Sequence, residues 1–247
     1  MDKEKIINEF KRIKSLNYIK SNRQHNTGIG KTFEDYLGVK ENNLIDSDFA
    51  GFEVKSKRIS SSSYLTLFTK SPSGPKGANK FLRDNFGEFY EEYPHLKKLH
   101  TSIFSNRMNV HVNKRKFKIK IDEAEKKLII EVYDMNNVLI DDSVFWTFQQ
   151  LERNLMKKLK GLFLVSADSR IDENGIEEFH YTDADIYTKP DFENFLKLLS
   201  EGKIMIDIRI GSYKSGKNLG KTHDHGTGFR IKPEDLKNLY SEKITVK

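Results

Sequence analysis

Asp48, Glu53 and Lys55, in the stretch Asp48-Phe-Ala-Gly-Phe-Glu53-Val-Lys55, are the residues whose types and spacing best suit chemistry. A strand beginning near Gly51 sends Phe52 and Val54 to one face and Glu53 and Lys55 to the other. The apolar pair anchors the strand, and Asp48 arrives beside the charged pair from the entering turn. Two carboxylates that converge this way make a hard, oxygen-rich site suited to Mg²⁺. A lysine beside them can hold an attacking water or stabilise charge developing on a phosphate. The same spacing also fits an exposed strand face carrying a salt bridge.

The elements that position these groups belong to a chain of 247 residues, long enough for one domain or two small lobes around a real core. With 36% hydrophobic and 32% charged residues the composition is globular but polar. The absence of cysteine excludes a disulfide framework and a cysteine-liganded zinc site. No apolar run reaches membrane-spanning length, and the charged start Met1-Asp-Lys-Glu-Lys is no signal peptide. The expectation is a cytoplasmic protein with no membrane association.

A net charge of +7 points toward polyanions, and its distribution says more. Val54 to Arg83 holds seven Lys or Arg and no acid, and Ser105 to Lys120 holds six more, again without acid. Lys203 to Lys232 has seven basic residues against two acidic. Interleaved with Tyr64, Phe68, Phe81, Phe117 and Phe229, these blocks suit a surface that follows a phosphate backbone. Lys70, Lys76 and Lys114 are the candidate phosphate contacts, Lys76 on the rigid turn Ser71-Pro-Ser-Gly-Pro-Lys-Gly77.

Periodicity outlines the rest. Ile6, Ile7, Phe10, Ile13 and Leu16 predict a helix over 3–16, and a short helix spans about 31–37 before the stop at Gly38. Thr27-Gly-Ile-Gly-Lys-Thr32 resembles the end of a phosphate-binding P-loop, but His25 stands where that motif needs its first glycine and the upstream segment is polar. After a turn at Asn42-Asn43, residues 51–69 read as a hairpin and 88–100 as mixed helix and loop. Lys116–Ile121 and Lys127–Tyr133 alternate as a second hairpin, Val144–Trp146 is a further strand, and 147–160 is a helix feeding the apolar strand Leu162–Val165. A helix follows Pro190. The strand Lys203–Ile210 turns four isoleucines one way and Met205, Asp207 and Arg209 the other. Beyond His223-Asp-His225 and Gly226–Ile231 comes a polar tail.

Five segments together resemble the MvaI/BcnI family of type II restriction endonucleases, a group related in fold to the mismatch-repair nickase MutH. They are Thr27–Gly38, Asp48–Lys55, Leu65–Pro72, Ile206–Gly211 and Lys221–Thr227, in the family's order; about 85–140 matches least. The resemblance implies an α/β, restriction-endonuclease-like (MutH-like) fold: a mixed sheet flanked by helices, with two lobes around a DNA cleft. Residues 1–247 would form one two-lobed nuclease, the catalytic lobe centred on about 1–90 and the recognition lobe including about 200–235. It further implies a monomer with no obligatory protein partner, using Mg²⁺ to cut double-stranded DNA at a five-base-pair site of the CC-N-GG type, one strand at a time. Asp48 and Glu53 would be metal ligands, Lys55 the catalytic lysine, and Glu34 a helix glutamate completing the acidic cluster. Asp207, Arg209, His223, His225 and Arg230 would fall on the base-reading segments. Arginine suits guanine and an acid suits cytosine N4, so the inventory fits a G·C-rich target.

Other readings stay open. Asp207 and Arg209, two apart on one strand face, fit a mutual salt bridge. His223 and His225 share a zinc-compatible spacing, but no further His or Cys cluster lies nearby. A MutH-like strand nickase or a non-catalytic DNA-binding protein would use much of the same inventory.

Overall fold

The computed structural model describes residues 1–39 and 48–247, so the turn expected at Asn42-Asn43 lies outside the described residues. In chain order the elements begin with α1 (Lys3–Lys14), β1 (Ile19–Lys20), α2 (Gly28–Tyr36), β2 (Glu53–Arg58) and β3 (Leu65–Thr69). Next come α3 (Ala78–Phe86), β4 (Glu88–Phe89), β5 (Lys97–Ile103), β6 (Asn109–His111), β7 (Arg115–Asp122), β8 (Lys127–Tyr133) and β9 (Leu139–Thr147). The remainder is α4 (Phe148–Lys158), β10 (Gly161–Ile171), β11 (Glu177–Pro190), α5 (Phe192–Ser200), β12 (Ile204–Ser212), β13 (Thr222–Asp224), β14 (Gly228–Ile231) and β15 (Tyr240–Val246). This is a mixed α/β fold. No helix among the described residues is long and apolar enough to cross a membrane.

The chain divides into two compact units. The first comprises Met1–Ser63, Leu155–Asp191 and Leu236–Lys247. Its sheet runs β1-β11-β10-β2, with β15 also paired to β11. β10 and β11 are antiparallel, whereas β2 lies parallel to β10 with Glu53 opposite Leu162 and Lys55 opposite Leu164. The run Leu162-Phe-Leu-Val165 is buried on both faces, as its unbroken apolar character requires. Ile6, Phe10 and Ile13 of α1 and Ile29 and Phe33 of α2 bury against Val54, Phe163, Val165 and Tyr181. Leu16, by contrast, lies beyond the end of α1 and is exposed.

The second unit comprises Tyr64–Asn154 and Phe192–Asp235. One of its sheets runs β3-β14-β12-β5-β4 with β13 also on β12, and the other runs β6-β7-β8-β9. Phe68, Phe195 and Trp146 surround Phe229, with ring centroids 4.9, 6.0 and 5.6 Å from it, and the Trp146 indole donates to the Lys70 carbonyl at 3.0 Å.

Three expectations need correction. Residues 51–69 are not a hairpin: β2 pairs with β10 and β3 with β14, in different sheets. A local turn signal cannot reveal a parallel partner a hundred residues away. Residues 97–103 form β5, a strand of alternating burial that pairs with β12, rather than helix and loop. The polar tail includes β15, whose Tyr240 and Val246 are buried while the residues between them face water.

Phe33 carries α2 onto the sheet, its ring 4.8 Å from Tyr181 and 6.4 Å from Phe163, while the Tyr181 hydroxyl donates to the Ile29 carbonyl at 2.8 Å. Phe33→Ala should therefore cost about 3–5 kcal/mol. Denaturant unfolding followed by circular dichroism checks this; a loss under about 1 kcal/mol would mean that the site collapses to fill the gap.

Candidate active site and nucleic-acid interface

In the first unit, Phe49 and Phe52 exchange backbone hydrogen bonds of 3.1 and 2.8 Å around Ala50 and Gly51. Both central residues have positive φ, 51° and 86°, as a two-residue turn of type I′ demands. A Cβ on Gly51 would also press on Met1 at 3.0 Å. This turn folds Asp48 back along the start of β2, where its Oδ2 accepts from the Val54 amide at 2.8 Å. The Asp-x4-Glu spacing is thus the arithmetic of a tight hairpin, with 49 opposite 52 and 48 beside 53. Lys55 projects on the same face as Glu53 and donates to its Oε1 at 2.8 Å.

Asp48 lies at the exposed surface, with protein packed around part of its carboxyl. That desolvation, and then the Glu53 charge, raise its pKa above the ordinary aspartate value, against the Val54 hydrogen bond and the charges of Lys55 and Lys158. Two carboxylates placed side by side at the start of one strand, with solvent access, suit a hard divalent cation. Glu34 sits half-buried near the end of α2. Among the described residues no three His, Asp or Glu side chains gather as a metal-holding group, so Glu34 does not complete such a group with Asp48 and Glu53 there.

In the second unit, Asp207 is fully buried and is held by three groups. Arg209 donates to both carboxylate oxygens at 2.9 and 3.1 Å, Arg230 to Oδ2 at 2.9 Å, and Ser102 to Oδ1 at 3.2 Å. Gly228 stands opposite Asp207 and leaves room for Arg230 to cross, since a Cβ there would meet the Arg230 Nε at 3.2 Å. The salt bridge between Asp207 and Arg209 is present, and both guanidinium groups keep solvent access at 42% and 33% side-chain exposure.

His100 lies directly across from Arg209, and burial followed by the Arg209 charge lowers its pKa. His223 and His225 project from one side of β13 and its end, their ring centroids 4.0 Å apart. Tyr213 stacks on His223 at 4.4 Å, and His100 lies 6.4 Å from His225. Gly211 makes room for this row: a Cβ there would meet the Tyr90 hydroxyl at 2.6 Å. No metal-holding group of three forms around these histidines among the described residues. Of the lysines, Lys76 and Lys114 are exposed on turns and Lys70 is half-buried at the end of β3.

Residues 7–240 match the MvaI/BcnI restriction endonuclease family. The chain belongs to this family. Restriction endonuclease MvaI in complex with its cognate DNA substrate superposes with a TM-score of 0.89 at 38% identity, covering 100% of both chains. MvaI in the absence of DNA gives 0.68 at 38% identity, covering 100% of this chain and 99% of that one. Curated protein sequences yielded no match. Like other MvaI/BcnI members, the chain is therefore a type II restriction endonuclease, a site-specific deoxyribonuclease with a restriction-endonuclease-like fold.

Ser102, His100, Tyr213 and Lys158 have no signal in the sequence, because each acquires its place through pairing or packing with distant residues. Two outcomes follow from the electrostatics. Asp48 has a raised folded pKa, so it penalises folding most fully at pH values above that folded pKa; the penalty vanishes below the unfolded value, where both states are protonated. Asp48→Asn should therefore raise the thermal midpoint in metal-free buffer at pH 7, with a gain that fades as the pH falls through the carboxylate range. An equal gain at pH 3 would refute the electrostatic account. Asp207→Ala takes the shared acceptor from two arginines that keep solvent access and can rehydrate, so it should cost about 1–3 kcal/mol of stability by denaturant unfolding.

Proposed function

We propose that this enzyme hydrolyses phosphodiester bonds of double-stranded DNA in a Mg²⁺-dependent reaction at a five-base-pair site of the CC-N-GG type. The observation that carries the reading is Asp48, Glu53 and Lys55 gathered by one tight turn in a member of a restriction endonuclease family. Asp48 and Glu53 would hold the cation, which when bound supplies Lewis-acid polarisation of the scissile phosphate. Lys55, steered by Glu53, presents its ammonium to the negative charge that develops on the phosphate oxygens or to the attacking water. Glu34 takes a supporting acidic role from α2.

Cutting is assigned to the first unit and base reading to the second. Arg209 and Arg230 each suit one guanine, a contact that discriminates by about 1–3 kcal/mol. Asp207, its oxygens already engaged, serves the reading by orienting both arginines. His223 and His225 offer ring nitrogens to base edges, and Lys70, Lys76 and Lys114 hold phosphates. One acidic pair with several unlike base-reading segments suits a monomer that cuts the strands in turn without a protein partner.

Digestion of a supercoiled plasmid of known sequence in Mg²⁺, with the ends sequenced, tests this reading. Nicked circles should precede linear product, and the ends should share one G·C-rich site. Asp48→Ala and Glu53→Ala should abolish cleavage while leaving Ca²⁺-supported binding intact; cleavage by Asp48→Ala at the wild-type rate would remove the assignment. Binding should weaken with salt at a slope of about −0.9 per phosphate neutralised. Lys76→Ala or Lys114→Ala should weaken cognate and random DNA alike; a loss confined to cognate DNA would contradict their phosphate role.

A further inference from the structure

The two histidines are mounted on a short hairpin whose other side is tied to α3. Alternation along β13 turns Asp224 away from His223 and His225. Its Oδ2 accepts from the Asn79 side-chain amide at 2.6 Å and from the Ser71 hydroxyl at 2.9 Å, and its Oδ1 accepts from the Gly226 amide at 2.8 Å. Asn79 turns its amide nitrogen to the carboxylate so completely that its own Oδ1 is buried without a partner. One helical turn later on the same face of α3 stands Arg83, buried and charged. Its Nε and Nη2 pair with Asp84 Oδ1 at 2.8 and 2.7 Å, while its Nη1 donates to the Ser212 hydroxyl at 2.9 Å, the Gly220 carbonyl at 3.2 Å and the Gly211 carbonyl at 3.4 Å. Ser212 and Gly211 are the β12 residues that pair with Thr222 and His223.

We propose that Asn79 and Arg83, acting on Asp224 and on the β12 end of the hairpin, are positioning residues that set the plane in which His223 and His225 meet the bases. The inference rests on the reading of those histidines as base contacts. A buried guanidinium that needs Asp84 to balance its charge, and an amide that leaves its own oxygen unsatisfied, cost more than the apolar contact that could close a surface hairpin as well. What they add is directional: each bond fixes one backbone or side-chain atom of the strand beside the rings. Alternation puts Asp224 on the side of β13 away from the histidines, so its effect on base reading runs through them.

The test compares cleavage of the cognate site with sites altered at one base pair. Asp224→Ala and, separately, Asn79→Ala should lower cognate kcat/KM by about 10- to 100-fold while changing altered-site cleavage and random-DNA affinity less than about threefold, since a mispositioned specific contact is lost and the phosphate contacts are kept. The double variant should be no worse than Asp224→Ala alone, because the two residues act as one bond. Asp224→Asn, which keeps an acceptor, should recover most of the discrimination. The imidazole resonances of His223 and His225 should shift in Asp224→Ala while its far-ultraviolet circular dichroism stays that of the wild type. Equal losses on cognate and altered sites, or intact discrimination in both single variants, would overturn the proposal. His223→Ala and His225→Ala in the same assay separate the two layers: if they keep full discrimination, the base-contact reading itself fails, whatever Asp224 does.

Discussion

The acidic centre exists because a backbone turn holds together two carboxylates that repel each other. Asp48 is pinned by the Val54 amide, and desolvation first, then the Glu53 charge, raise its pKa. Such a pair persists only if the backbone leaves it nowhere else to go. The turn at Ala50-Gly51 meets that condition, with both residues at positive φ and Met1 packed against the glycine. A cation held there would offset the charge of both carboxylates.

The second unit applies the opposite arrangement. There a single buried acid, Asp207, gathers two arginines, and the charges attract. Removing the acid's own access to solvent costs free energy, which its three donors must offset. In return the two guanidinium groups are held in a fixed relation while their outer edges stay in water. Rigid presentation of donors is what discriminates bases, because a contact that can shift to accommodate the wrong edge loses its selectivity.

How much of this was legible in the sequence follows the range of the interactions. Strands β7, β8 and β12 and helices α1 and α4 announce themselves by period, and Asp48, Glu53 and Lys55 lie within one turn and strand, so their grouping could be read locally. The link of Asp207 to Arg209 is two residues long and was visible as an alternative, whereas its link to Arg230 depends on β14 lying beside β12. The parallel register of β2 on β10 could not be seen because nothing in residues 51–69 names a partner at 162–167. β5 was hidden by the acids and aromatics around it, and β15 by the polarity of a strand with one wet face. The clamp between Asn79 and Asp224, 145 residues apart, has no sequence signature at all.

The central claim is that the turn, and not merely the presence of two acids, makes the metal site. Gly51→Val tests it by leaving Asp48, Glu53 and Lys55 in place while forbidding the backbone that joins them. Calorimetric titration of Mn²⁺ into wild-type and variant protein, each shown to be folded by circular dichroism, gives the answer. The account predicts that the variant loses Mn²⁺ affinity by at least about tenfold, as a displaced ligand would. Equal affinity in the two proteins would show that the carboxylates find each other without the turn, and would contradict it.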